Sequence, residues 1–537
     1  MRVYTSDNQA IVRCQYHEKE LIKAIGDFKF NKADASWRFP IRKLVDIIDN
    51  LKIDYNEETK LIYDRLRAER QKHHKKINIA NKIKTEECNI ESLNGIDLSI
   101  CFQHQKKAIT LASMFDSYAL FMETGTGKTL CAIKLIEYWK VPAMIVAPLS
   151  TLESVWIPEI AKWSKLNAVI LWHNLKAFYS NDPYDIYLIN YEQFKKLSKE
   201  TDISKKVKCI IIDESSKLKN PKSQITKTIL DCREKIPHRI CLTGTPAPNN
   251  LLEYFGQMTF INPDCLGTDN FYRFRNTFFF STGYGGYQYR PMKGAKEAII
   301  QNVSKQAFSI RKKDCFDLPD RIYETRNIYM DKVQEAAYEE MKKENILEFG
   351  DHVALGVNEL AKIMKLRQIT SGFVISTQGA TVLISDAKIK VLKELLEEIP
   401  EDKQVIIWCN FHFEIERLKD EFKDDARTLY GAMPQKAKQQ AIVDFQAKKY
   451  RILLAHPLSG GIGLNLQQCS YIIWYSLSYS SEQHSQANDR IYRKGQENKC
   501  TYFYLITKDS IDELIYKALT QKINLLESCL EMLKGGK

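Results

Sequence analysis

The chain has 537 residues, 44% of them hydrophobic and 27% charged, with a formal net charge of +12. That is room for roughly two to four packed domains and excludes a disordered or fibrous chain, while the positive excess favours a polyanionic partner such as nucleic acid. The 13 cysteines are scattered with no Cys-x-x-Cys pair, which argues against a disulfide scaffold or a zinc site, and no apolar run approaches membrane-spanning length.

In chain order, residues 1–55 read as a small α/β unit. AIVRCQY alternates like a strand, EKELIKAIGDF has helical spacing, WRFP is a short strand stopped by Pro40, and KLVDIIDNL is a second helix. Residues 56–94 are basic and polar around RLRAERQKHHKKINIANKIK, whose spaced apolar residues permit a helix. From 95 to 267, YALFME, AMIVAP, VILW, YLIN, CIIIDE and RICLTG are predicted strands alternating with helices. That is the pattern of a buried parallel sheet, whose strand ends collect ligands. Residues 268–384 are expected to be a helical insertion and connection, with FYRFRNTFFFSTGYGGYQYR as a helix followed by a loop or hairpin. From 385 to 508 the alternation returns with KQVIIWCN, RTLYG, RILLAHP, YIIWYS and TYFYLIT, and 509–537 closes as a helix. The predicted class is α/β, with two parallel-sheet lobes, helical insertions and a small N-terminal α/β domain.

FMETGTGKT sets Glu123, Thr124, Gly125, Thr126, Gly127, Lys128 and Thr129 between a strand and a helix. Glycines let backbone N–H groups close around phosphate oxygens at a helix N-terminus, lysine reaches the outer phosphates, and the threonine hydroxyl can ligate Mg²⁺. The longer form of this loop would place glycine at Met122; the shorter G-x-G-K-T form is the one present. IIIDESSKLKN then delivers Asp213 and Glu214 from an apolar strand, one to hold Mg²⁺ and one to orient or deprotonate water. LTGTPAPNN carries Thr243 and Thr245 into a proline-fixed turn, candidates for linking the nucleotide pocket to the second lobe. LSGGIGLNL offers small residues for close approach to phosphate, and QANDRIYRKGQ spaces Arg490 and Arg493 for one helix face, where an arginine can stabilise charge on a transferring phosphoryl group.

These segments, in this order, resemble the Swi/Snf-like family of superfamily 2 helicase-type ATPases over residues 95–530. FQHQ resembles the family's glutamine motif, with Gln105 expected to read adenine. APLSTLESVWIPEIAKW, YLINYEQF, LLEYFGQMTFINPDCLG, IRKKDCFDLPDR, IMKLRQITSGF, SDAKIKVLKELL and LYGAM look like further family segments, and the trailing R-x-G-Q of QANDRIYRKGQ separates it from DEAD-box RNA helicases. The resemblance implies two RecA-like lobes that bind ATP and Mg²⁺ and ratchet along double-stranded or forked DNA, usually without separating strands. Thr129 and Asp213 are its expected metal ligands and Gly463 a further nucleotide contact. Ser150, Tyr191, Gly431, Ser459 and Gly460 are expected DNA contacts, and Ser216, Thr243, Thr245 and Gln486 coupling positions. FKFNKADASWRFPIRKLVDII resembles the HARP-type domain of annealing helicases through Phe30, Trp37, Phe39 and Pro40; the same aromatics could equally be the core of a small α/β decoration.

Three departures stand out. The family usually has histidine where Ser216 stands. SYSSEQHS replaces the usual tryptophan–asparagine–proline turn before the arginine motif. The insertion is compact, with no large remodeller accessory domains. The expectation is a compact translocase of a bacterial or phage-infected cell, cytoplasmic and nucleoid-associated, with DNA repair among its candidate contexts. The alternatives are a strand-separating DNA or RNA helicase, and a DNA-binding scaffold with a vestigial ATPase.

Overall fold

The computed structural model describes residues 1–521 except 89, 173, 181–182, 249, 283–287, 345, 350–351, 356–358 and 461–465. The chain divides into two compact units, Met1–Ile310 and Arg311–Lys537.

The first unit opens with a five-stranded sheet in the order Lys29–Asn31, Ser36–Pro40, Gln9–Arg13, Arg2–Ser6, Asp54–Tyr55, antiparallel but for the last pair. Alternation puts Val3, Ala10, Val12, Trp37 and Phe39 on one face, where Ile22 and the helix Leu44–Leu51 cover them. Trp37 and Phe39 thus belong to this small core, whereas Phe30 stays 47% exposed and rests on Trp37 with ring centroids 4.8 Å apart.

The basic stretch that follows is one helix, Glu57–Thr85. Asn56 caps it by accepting the Thr59 N–H at 2.9 Å, and acidic residues open it while lysines close it, as the helix dipole favours. Its composition is too polar for burial alone to fix it. Tyr63 anchors one end, donating to Asp49 at 2.6 Å, and Ala80 packs into the core of the next sheet. The small domain is also tied to that lobe directly: Arg42 meets Asp264 at 3.1 Å and Asp269 at 2.8 Å.

The main sheet of this unit has seven parallel strands in the order Ala168–Ile170, Ile186–Asn190, Ala143–Ala147, Cys209–Asp213, His238–Leu242, Ser117–Met122, Ala307–Ile310. Their continuous apolar runs are buried on both faces, as a parallel sheet sandwiched by helices requires. All their C-terminal ends lie on one edge, so the glycine loop, the acidic pair and the Thr243 turn open on the same side.

The second unit has a six-stranded parallel sheet ordered Arg321–Ile328, Cys500–Thr507, Tyr471–Trp474, Val405–Trp408, Ile452–Ala455, Ala426–Leu429. Residues 268–384 depart from an all-helical insertion. The helix Phe271–Phe278 and the hairpin Phe279–Thr282 with Gln288–Pro291 follow the expectation for that stretch, whereas the departure is one edge strand supplied to each main sheet, Ala307–Ile310 and Arg321–Ile328. AFSI is too short to show a period. RIYETRNI is largely polar because an edge strand keeps one side wet.

Candidate nucleotide site

The strand Ser117–Met122 runs into the glycine loop, which opens the helix Lys128–Trp139. Gly125 and Gly127 both have φ of 87°, a left-handed turn that side chains resist. At Gly127 a Cβ would also lie 2.0 Å from the Gln105 amide nitrogen. That amide donates to the Thr126 carbonyl at 3.1 Å, His104 Nε2 lies 2.8 Å from the same oxygen, and Gln105 Oε1 accepts the Phe102 N–H. Gln105 is therefore buried against the phosphate loop, and its amide shapes that loop. Thr126 folds back to the Glu123 carbonyl at 2.7 Å, and Lys128 donates to the Met122 carbonyl at 2.9 Å. Glu123 itself is held by its N–H on Ile310, while Thr124 lies where a side chain on Gly244 would touch it. Thr129 is half-buried in the first helical turn.

Asp213 ends its strand with one carboxylate oxygen accepting the Trp156 indole N–H at 3.0 Å and the other accepting the Glu214 N–H at 3.0 Å. Burial pushes its pKa up, opposed by the Trp156 hydrogen bond and the Lys128 charge. Glu214 has φ of 54°, a left-handed conformation uncommon for a non-glycine residue, which turns the chain sharply after the strand. Tyr191 donates its hydroxyl to the Asp213 carbonyl at 2.6 Å, with the Glu214 carbonyl at 3.2 Å. The structure thus places Tyr191 against the acidic pair. Ser150 is half-buried in the short helix Leu149–Thr151.

Ser215 and Ser216 are both buried. Ser215 donates to Gln257 Oε1 at 2.8 Å, and the Gln257 amide donates to the carbonyls of Pro246 at 2.5 Å and Glu253 at 3.1 Å. Gln257 so joins the exit of the acidic strand to the turn containing Thr245, whose N–H bonds Thr243 Oγ1 at 3.1 Å. Sequence reading passed over Gln257 and Trp156. The signal for Gln257 is a lone amide in the otherwise apolar helix Tyr254–Ile261. Gln257→Leu removes the amide that bonds Ser215, Pro246 and Glu253 together and is expected to lower stability by about 1–3 kcal/mol, read as a lower urea midpoint; an unchanged midpoint contradicts the linkage.

In the second unit, the helix Ser481–Asn488 holds Gln486 and ends at Asp489. SYSSEQHS begins this helix, with the Ser480 hydroxyl accepting the Gln483 N–H as its cap. Arg490 follows, 3% exposed, and Arg493 Nε donates to the Asp489 carbonyl at 3.0 Å; burial pulls the Arg493 pKa down, against the Asp489 charge. Gly431 and Ser459 come together: a Cβ on Gly431 would lie 3.7 Å from the Ser459 hydroxyl. Gly460 ends the short helix Pro457–Gly460, and Gly463 lies outside the described residues.

A glycine loop opening a helix beside a strand-end acidic pair, in one of two RecA-like lobes, defines a helicase-type ATPase. The chain belongs to the SNF2-related family: the SNF2-related domain matches residues 104–374, and the helicase conserved C-terminal domain matches 387–495. It is 26% identical to protein p41 of the Acyrthosiphon pisum secondary endosymbiont phage 1, over 76% of this chain and 93% of that one. It is 28% identical to the nuclear protein STH1/NPS1 of Saccharomyces cerevisiae, over 75% of this chain but 32% of that protein, so it spans about a third of the yeast relative. An uncharacterized ATP-dependent helicase of Mycoplasma pneumoniae is 26% identical over 76% of this chain and 40% of its own length. Among solved structures, the Sulfolobus solfataricus SWI2/SNF2 ATPase core in complex with dsDNA covers 84% of this chain and 95% of its own, at 23% identity and a TM-score of 0.38. Among the described residues no helix is long and apolar enough to cross a membrane.

Proposed function

We propose that the protein is an ATP-driven translocase on double-stranded DNA, with annealing or fork remodelling as candidate outcomes. The observation that carries this reading is the shared sheet edge of the glycine loop and the acidic pair, where the Lys128 charge acts on Asp213. Lys128 orients the outer phosphates in exchange for its bond to Met122. Glu214 orients or deprotonates the attacking water. Arg490 and Arg493 supply positive charge as the phosphoryl group departs. The Thr129 hydroxyl and the Asp213 carboxylate are hard oxygen donors of the kind Mg²⁺ takes, and Asp213 is half-buried at the end of its strand, where the Lys128 charge acts on it. They would hold the ion, which neutralises phosphate charge when bound. Gln105 would read adenine only from the position it already holds against the loop.

Binding to DNA through Ser150, Tyr191, Gly431, Ser459 and Gly460 would be mostly to phosphates, so affinity is expected to fall steeply as salt rises. The test is ATP turnover compared across single-stranded, duplex and forked DNA and RNA. Duplex-containing DNA is expected to stimulate most. Preference for single strands or RNA would favour a strand-separating helicase, and absence of turnover with any of them a scaffold with a vestigial site. Ser216 stands where a coupling histidine is usual, and its hydroxyl is shorter and does not titrate near neutrality. Ser216→Ala is expected to reduce DNA movement per ATP more than ATP turnover itself; both unchanged would remove the position from the coupling path.

A further inference from the structure

The segment IRKKDCFDLPDR enters none of the roles above, yet it holds the most deeply buried lysine described in the second unit. Lys312 is 1% exposed. Its ammonium lies 2.8 Å from Asp489 Oδ1 and donates to the Tyr492 carbonyl at 3.0 Å. Arg321 approaches the same carboxylate oxygen at 3.7 Å and stacks its guanidinium 3.7 Å from the Tyr492 ring centroid. Asp489 is itself 2% exposed. Asp489 and Tyr492 bracket Arg490 in the chain, and Arg493 bonds back to the Asp489 carbonyl. Two cations from one segment therefore fix both ends of the turn that carries the two arginines.

A buried ion pair contributes little net stability, because desolvation offsets the attraction; what it specifies is geometry. Here the geometry specified is that of Arg490 and Arg493.

We infer that Lys312 is a positioning residue for Arg490 and Arg493. The inference rests on the ATPase reading proposed above. It acts through the arginines, so it should leave nucleotide binding alone and lower turnover.

The experiment compares Lys312→Met, Lys312→Arg, Arg493→Ala and their combinations in the full chain. Turnover is measured with saturating duplex DNA, and binding with fluorescent ADP. Lys312→Met is expected to lower kcat by about tenfold or more while changing KM for ATP and ADP affinity by less than about twofold. Lys312→Arg is expected to recover most of the rate, since a second guanidinium can meet Asp489. Lys312→Met added to Arg493→Ala should cost far less than it does alone, because both act through one unit. A Lys312→Met protein with wild-type kcat, beside an Arg493→Ala protein that has lost turnover, overturns the inference and leaves the ATPase reading standing. Normal turnover in Arg493→Ala, or none in the wild type, overturns both. If Lys312→Met fails to fold, Asp489→Asn keeps the volume and removes the charge. Wild-type kcat in that protein overturns the inference equally.

Discussion

Lys128→Ala is expected to reduce DNA-stimulated ATP turnover by about 10²–10³-fold or more while leaving most duplex binding intact. The side chain stands at the first position of the helix Lys128–Trp139, where the backbone N–H groups and the helix dipole already favour phosphate. Its present partner is a neutral carbonyl, that of Met122 at 2.9 Å, a bond readily exchanged for phosphate oxygens. Truncation removes the cation of the loop without touching the glycines that shape it. Because Lys128 is half-buried and bonds a single carbonyl, the change should cost little stability, so loss of activity can be separated from loss of fold by a thermal scan. Phosphate release and a duplex-binding titration check it. Retained DNA-stimulated turnover in that protein would contradict the site.

The second large effect is expected at Arg490 and Arg493. Each alanine replacement should lower kcat by about 10³-fold, the usual scale for an arginine that stabilises phosphoryl transfer. The double replacement should be little worse than either single one, since the two act together. Arg490 is buried, so Arg490→Lys is the informative companion: it keeps the charge but loses the planar fork. Turnover should stay low in Arg490→Lys while ADP affinity remains near wild type. A lysine that restores full turnover would show that charge alone suffices there.

Much of this was legible in the sequence because it rests on local chemistry. YALFME, CIIIDE and RICLTG are strands because uninterrupted β-branched and apolar runs can only be buried on both faces of a sheet. The glycine loop was legible because G-x-G-K-T between an apolar strand and a helix is rarely a chance turn, and both glycines do take left-handed φ. What stayed hidden depends on distant partners. Ala307–Ile310 is four residues and becomes a strand only through Met122 and its neighbours. Gln257 looks like an accident in an apolar helix until Ser215 and Pro246 meet it across the fold. Tyr191 was expected along a DNA path, and no local pattern could tell that its hydroxyl turns toward Asp213. Gln105 was read as an adenine contact, and its packing on the Gly127 turn came only with the structure. In the second unit, Lys312 and Asp489 are 177 positions apart in sequence, and nothing in either motif announces the other.

The central claim is that ATP turnover moves this protein along duplex DNA. Displacement of a third strand from a triplex, placed in the path on an otherwise duplex template, measures that movement without requiring the duplex to open. Displacement that needs ATP and is lost in Lys128→Ala is the predicted result. ATP-dependent unwinding of a forked duplex with no triplex displacement, by a protein that turns over ATP normally, would contradict it.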